Sequence, residues 1–85
     1  MATFPTLHLN GTDKTDLRDE YAAALDAINE AIDALAAATS NARDFYPQGA
    51  DAYYRHRDER SEAFDNLRKA HTYVAEMLIG ICDQL

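Results

Sequence analysis

At 85 residues, with one cysteine and a net charge of −7, the chain is one small domain that can hold no intramolecular disulfide and is a poor general binder of nucleic acid. Its 47% hydrophobic content and its 15 acidic against 8 basic side chains are those of a folded acidic protein. A fold of this size buries only about 60% of its unfolded surface and is marginal as a monomer.

The lone Cys82, set in an apolar context, reads as an inert buried thiol and points to a reducing cytoplasm. Residues 1–5 have neither a basic nor an apolar segment, which predicts no secretory leader. The apolar run at 77–82 is too short to span a bilayer. Charge is uneven along the chain. Residues 1–40 balance at −5 and residues 70–85 at −2. Residues 41–69 are neutral but hold six of the eight basic side chains. A local pocket for a small anion is therefore compatible with an acidic protein.

Taken in order, residues 1–11 read as an extended arm. Leu7 and Leu9 alternate with Thr6 and His8, and Asn10-Gly11 is a turn signal. Residues 12–40 read as the first helix, with Thr12 as N-cap and Asp13 and Asp16 in the first turn. Leu17, Tyr21, Ala24, Leu25, Ile28, Ile32 and Leu35 form its apolar stripe, at spacings of three and four. Residues 41–49, Asn-Ala-Arg-Asp-Phe-Tyr-Pro-Gln-Gly, read as a loop in which Pro47 and Gly49 supply the break. Residues 50–85 read as the second helix. Phe64, Leu67, His71, Val74, Leu78, Ile81 and Leu85 form its seam, and the same register carried backwards lands on Arg60, Arg57 and Tyr53. Gly80 interrupts that helix at a cost of about 1 kcal/mol relative to alanine, which suits a close helix contact.

The expected fold is all-α: an antiparallel two-helix hairpin with an extended N-terminal arm. Antiparallel heptads would place Leu35 near Arg57, Ile32 near Arg60, Ile28 near Phe64 and Tyr21 near His71. The arm would cover the last turns of the second helix. A hairpin buries one stripe per helix, so self-association into a dimeric or larger helical bundle is expected.

The loop and the polar end of the seam define a candidate ligand site of Arg43, Asp44, Phe45, Tyr46, Gln48, Tyr53, Arg57 and Arg60. Guanidinium forks match phosphate oxygens, and aromatic faces stack on bases. The competing structural reading pairs Arg57 and Arg60 with Asp33, Glu30 or Asp44, and makes Arg43-Asp44 an ion pair that orders the turn. His8, His56 and His71 have no metal-ligand spacing, and neither a metal nor a cofactor is expected. His71 reads as a core histidine bonded to Tyr21. Asp44, Tyr46 and His56 could serve acid-base chemistry, but no spacing calls for it.

Leu7-His8-Leu9-Asn10-Gly11-Thr12 and the 41–49 loop together resemble small phage and prophage proteins with an LHLNGT-like start and an N-G-R-D-Y-Y-P-Q-G-like loop. This chain has Ala42 and Phe45 where that loop carries Gly and Tyr. The resemblance covers nearly the whole chain. It implies a phage setting and the host cytoplasm, and carries over no activity and no functional residues. By analogy with small helical phage proteins, the expectation is a non-enzymatic anti-defence protein that sequesters a nucleotide immune signal. The alternative is an acidic oligomeric module that binds a host protein or assists phage assembly.

Overall fold

The computed structural model describes residues 3–4, 13–49 and 51–85, and these form an all-α structure with no strand among them. The expected alternation of Leu7 and Leu9 and the Thr12 cap lie outside the described residues. Helix α1 spans Lys14–Ala37, a 3-10 turn spans Ala42–Gln48, and helix α2 spans Ala52–Cys82. The two long helices pack against each other, and the 3-10 turn packs on α2.

Helix α1 starts at a cap one residue later than expected. The Asp13 carboxylate accepts the backbone N–H groups of Thr15 at 2.8 Å and Asp16 at 3.2 Å. The Thr15 hydroxyl donates to the same oxygen, and this bond leads the causes that hold the Asp13 carboxyl below its ordinary range. A lowered carboxyl pKa stabilises the fold above the unfolded value near 4, and the contribution is lost as pH falls through the folded value. Helicity of the wild type is therefore expected to decline below about pH 4. Asp13→Asn should retain a cap while removing this part of the pH dependence. Circular dichroism from pH 2 to 5 on both chains checks it; parallel curves would remove Asp13 from the acid transition.

The α1 stripe faces inward as its periodicity requires. Leu17, Tyr21, Ala24, Leu25, Ile28, Ile32 and Leu35 are all half-buried, yet no residue of α1 is fully buried. Ala38 ends the helix in an extended conformation, φ −66° and ψ 133°. The helix thus stops short of Thr39, and the Ser40 hydroxyl beyond it lies against His56. The Asn41 side chain accepts the N–H of Arg43 at 3.2 Å and caps the 3-10 turn.

The 41–49 segment is thus an ordered helical turn instead of an irregular loop. Runs of 3-10 helix beyond three or four residues are uncommon. This one is tied down at both ends, by the Asn41 cap and by Gly49, whose N–H donates to the Tyr46 carbonyl at 3.3 Å. Gly49 has φ +109°, a conformation that L side chains rarely adopt. Ala52, buried, begins α2 directly after it.

The α2 seam differs from the expected one at both ends. Val74, Met77 and Ile81 are buried and form the core, with Phe64, Leu67, His71 and Leu78 half-buried beside them. Leu85 is exposed, because α2 ends at Cys82 and the last residues follow as a turn beyond the packed part of the helix. Cys82 is also exposed, not buried: it follows Ile81 by one residue, about 100° further round the helix. Towards the 3-10 turn, half-buried positions continue through Arg60, His56 and Tyr53, while Arg57 is exposed. The inward residue is His56, where the extended register had Arg57.

Gly80 makes a close contact, though not with a helix. A Cβ placed there would lie 2.6 Å from Cδ1 of Phe4, so the aromatic ring of the arm rests on bare backbone. No hydrogen bond joins His71 to Tyr21 among the described residues. The radius of gyration is 18.5 Å, against about 12 Å for a compact globule of this length. With extents of 61 × 21 × 17 Å, the molecule is a rod one helix pair thick. No helix among the described residues is long and apolar enough to cross a membrane.

Candidate functional site

The site region is built from the end of α1, the 3-10 turn and the first four turns of α2. Its central residue is Arg60. One guanidinium nitrogen donates to the carbonyls of Leu35 at 2.8 Å, Ala38 at 3.3 Å and Ala36 at 3.4 Å. A helix leaves its last carbonyls without intrahelical partners and carries partial negative charge there. The last turn of α1 has no basic residue of its own. Arg60 supplies that cation from α2. The expected partners Asp33, Glu30 and Asp44 play no part, and Arg60 meets the end of α1 beyond Ile32. Its guanidinium also lies over the Phe64 ring, 5.1 Å from the centroid.

His56 holds the other side of the junction. Its Nε2 lies 3.0 Å from the Ser40 hydroxyl. Phe45, half-buried, stacks on the imidazole at 4.4 Å between centroids with 27° between planes. Tyr53 closes the cluster at 6.1 Å from Phe45. Phe45 is therefore the anchor that fixes the 3-10 turn on α2.

Beside this junction runs a groove of about 380 Å³ lined by Ser40, Tyr53, Arg57, Arg60, Ser61, Phe64 and Arg68. Arg57, Ser61, Phe64 and Arg68 recur at spacings of four, three and four, which sets them in one stripe flanking the inward seam. Phe64 forms the floor between two cations, with Arg68 at 5.7 Å on the side opposite Arg60's contact in sequence. Arg57 and Arg68 are exposed, and each has an acidic neighbour on its own helix: Asp58 at 3.8 Å and Asp65 at 2.8 Å. Exposed pairs of this kind are worth at most about 1 kcal/mol and yield readily to a better anion.

Tyr53 also lines a second concavity of about 370 Å³, with Ala42, Tyr46, Gly49 and Tyr54. Tyr46 and Tyr54 are exposed at 72% and 55%. Arg57 lies over the Tyr54 ring at 5.1 Å.

Of the eight residues expected at the site, Tyr53, Arg57 and Arg60 line the arginine groove, and Tyr46 joins Tyr53 in the second concavity. Phe45 packs behind them. Arg43, Asp44 and Gln48 are exposed and line neither surface. Arg43 and Asp44 form no ion pair among the described residues. Ser40, Ser61, Phe64 and Arg68, and Tyr54 beside them, were not expected as site residues. The 57-61-64-68 spacing marks all of these except Ser40 and Tyr54. No group of three or more His, Cys, Asp or Glu side chains that could hold a metal occurs among the described residues.

The chain matches no protein-family model, no curated protein and no solved structure. The arginine groove and its tyrosine neighbour therefore carry the functional reading on their own geometry.

Proposed function

We propose that this chain is a non-enzymatic binding protein that holds a small phosphorylated ligand in the arginine groove of α2. The supporting observation is the stripe of Arg57, Ser61, Phe64 and Arg68 beside Arg60: three guanidinium groups and the Ser61 hydroxyl around one aromatic floor. Guanidinium forks and hydroxyls are the donors that phosphoryl oxygens take. A nucleotide immune signal of a bacterial host, sequestered without turnover, is the fullest form of this reading. A phage setting is part of this proposal.

The helices are proposed to run as an antiparallel hairpin, and hairpins to pair through their long faces into a homo-oligomeric bundle. Support comes from the incomplete burial: α1 has no fully buried residue, and Tyr73 and Ile79 of α2 are exposed. The same exposed apolar surface favours a second reading, a module that docks on a host protein.

Native mass spectrometry of protein purified from cells with active nucleotide-signalling defences is the test. A discrete oligomer carrying extra nucleotide mass is expected. Arg57→Ala with Arg68→Ala should weaken ligand retention by about tenfold or more per arginine, since a hydrogen bond to a charged group is worth about 1.5–3 kcal/mol. Helicity and oligomer mass should stay unchanged, because both side chains are exposed. Undiminished retention in the double variant would remove the groove as the site. A ligand-free oligomer that retains a host protein would favour the second reading.

A further inference from the structure

We infer that the tyrosine concavity is the seat of a nucleobase, so that the ligand of the arginine groove is a nucleotide lying across Tyr53. This rests on the phosphoryl-binding reading above. Two residues join the surfaces. Tyr53 lines both, and Arg57 lines the arginine groove while lying over Tyr54 at 5.1 Å. The two surfaces therefore adjoin, and one ligand can span them.

The two surfaces divide the chemistry of a nucleotide between them. The groove presents cations and hydroxyls. The concavity is walled by three phenol rings and small groups, with no charged side chain in its lining. Flat aromatic rings beside a cationic track are the common device for holding a base next to its phosphate. Arg57 follows Tyr53 and Tyr54 by about one helical turn, a rise of roughly 5 Å, which is on the scale of a base-to-phosphate span. The floor near Gly49 is open. A Cβ added there would meet nothing within 4 Å, so a planar ring can approach the backbone.

Tyr46 and Tyr54 are largely exposed, although tyrosine rings of a settled core are normally covered. A base with its phosphate satisfies both surfaces at once. Because every base has a π-face, the seat should accept purines of either kind.

The test uses the full chain with AMP, GMP and ribose 5-phosphate as probes in titration calorimetry. Stacking on aromatic side chains is worth a factor of roughly 5–150 per base. AMP and GMP should bind tighter than ribose 5-phosphate by that factor. In Tyr54→Ala and in Tyr46→Ala the ratio should fall towards one, and Tyr54→Phe should keep it, because the ring face remains. Equal affinity for nucleotides and ribose 5-phosphate in the wild type would overturn the base seat while leaving the phosphoryl site standing. A ratio that survives both alanine variants would overturn it as well. Failure of all three probes to bind would overturn the base seat together with the site beneath it.

Discussion

Replacing Arg60 with alanine is expected to lower the melting temperature by on the order of 10 °C. The variant strips three carbonyls at the end of α1 of their shared donor and removes the cation from the Phe64 ring. Hydrogen bonds to charged groups contribute about 1.5–3 kcal/mol. A domain of this size shifts by about 4–8 °C per kcal/mol. Arg60→Lys should recover part of the loss through charge at the helix end, but a single ammonium cannot reproduce the planar fork. Thermal unfolding of the three chains at one concentration checks this. A change in Arg60→Ala below about 2 °C would mean that the cap adds nothing in solution.

The second large effect is expected at the opposite end of the rod. Ile81 is the one side chain among the described residues that is both large and fully enclosed, at 0% exposure. Ile81→Ala should cost about 2–5 kcal/mol, the loss of a buried side chain plus the cavity left behind. Total stability for a chain of this length is on the order of 4–13 kcal/mol. The substitution therefore removes a large part of it, and where total stability is at the low end leaves the chain unfolded. Ile81→Val should cost about 0.5–1.5 kcal/mol. Urea denaturation separates them. Similar midpoints for the wild type and Ile81→Ala would place Ile81 outside the core.

Much of this core could be read from the sequence. The α1 stripe from Leu17 to Leu35 faces inward throughout, because repeated apolar residues leave only one face to bury. Val74 and Ile81 follow for the same reason. The register failed between Tyr53 and Phe64, where there is no large aliphatic residue to mark it. Stepping back from Arg60 by three gives Arg57, and stepping by four gives His56; pattern alone is silent between two polar residues. The choice is made by Phe45, which comes down from the 3-10 turn onto His56, a contact that no local rule supplies. The partners of Arg60 were hidden for a related reason. The sequence offers carboxylates in plenty, whereas its actual acceptors are backbone oxygens that become available only because α1 stops at Ala37. Tyr54 escaped notice because it lies off the seam, and its role depends on where the turn places Tyr46.

The rest of Phe4 on Gly80 bears on the order in which the molecule assembles. The contact joins residues separated by nearly the whole chain, and the entropy lost on closing a loop grows with its length. One aromatic ring on one glycine returns too little to close such a loop from the unfolded state. Once α1 lies along α2, the route between the two residues is short and the contact costs little. The contact is therefore expected to form after the helices have docked and to open before they separate, which hydrogen exchange at the C-terminal turns of α2 would check.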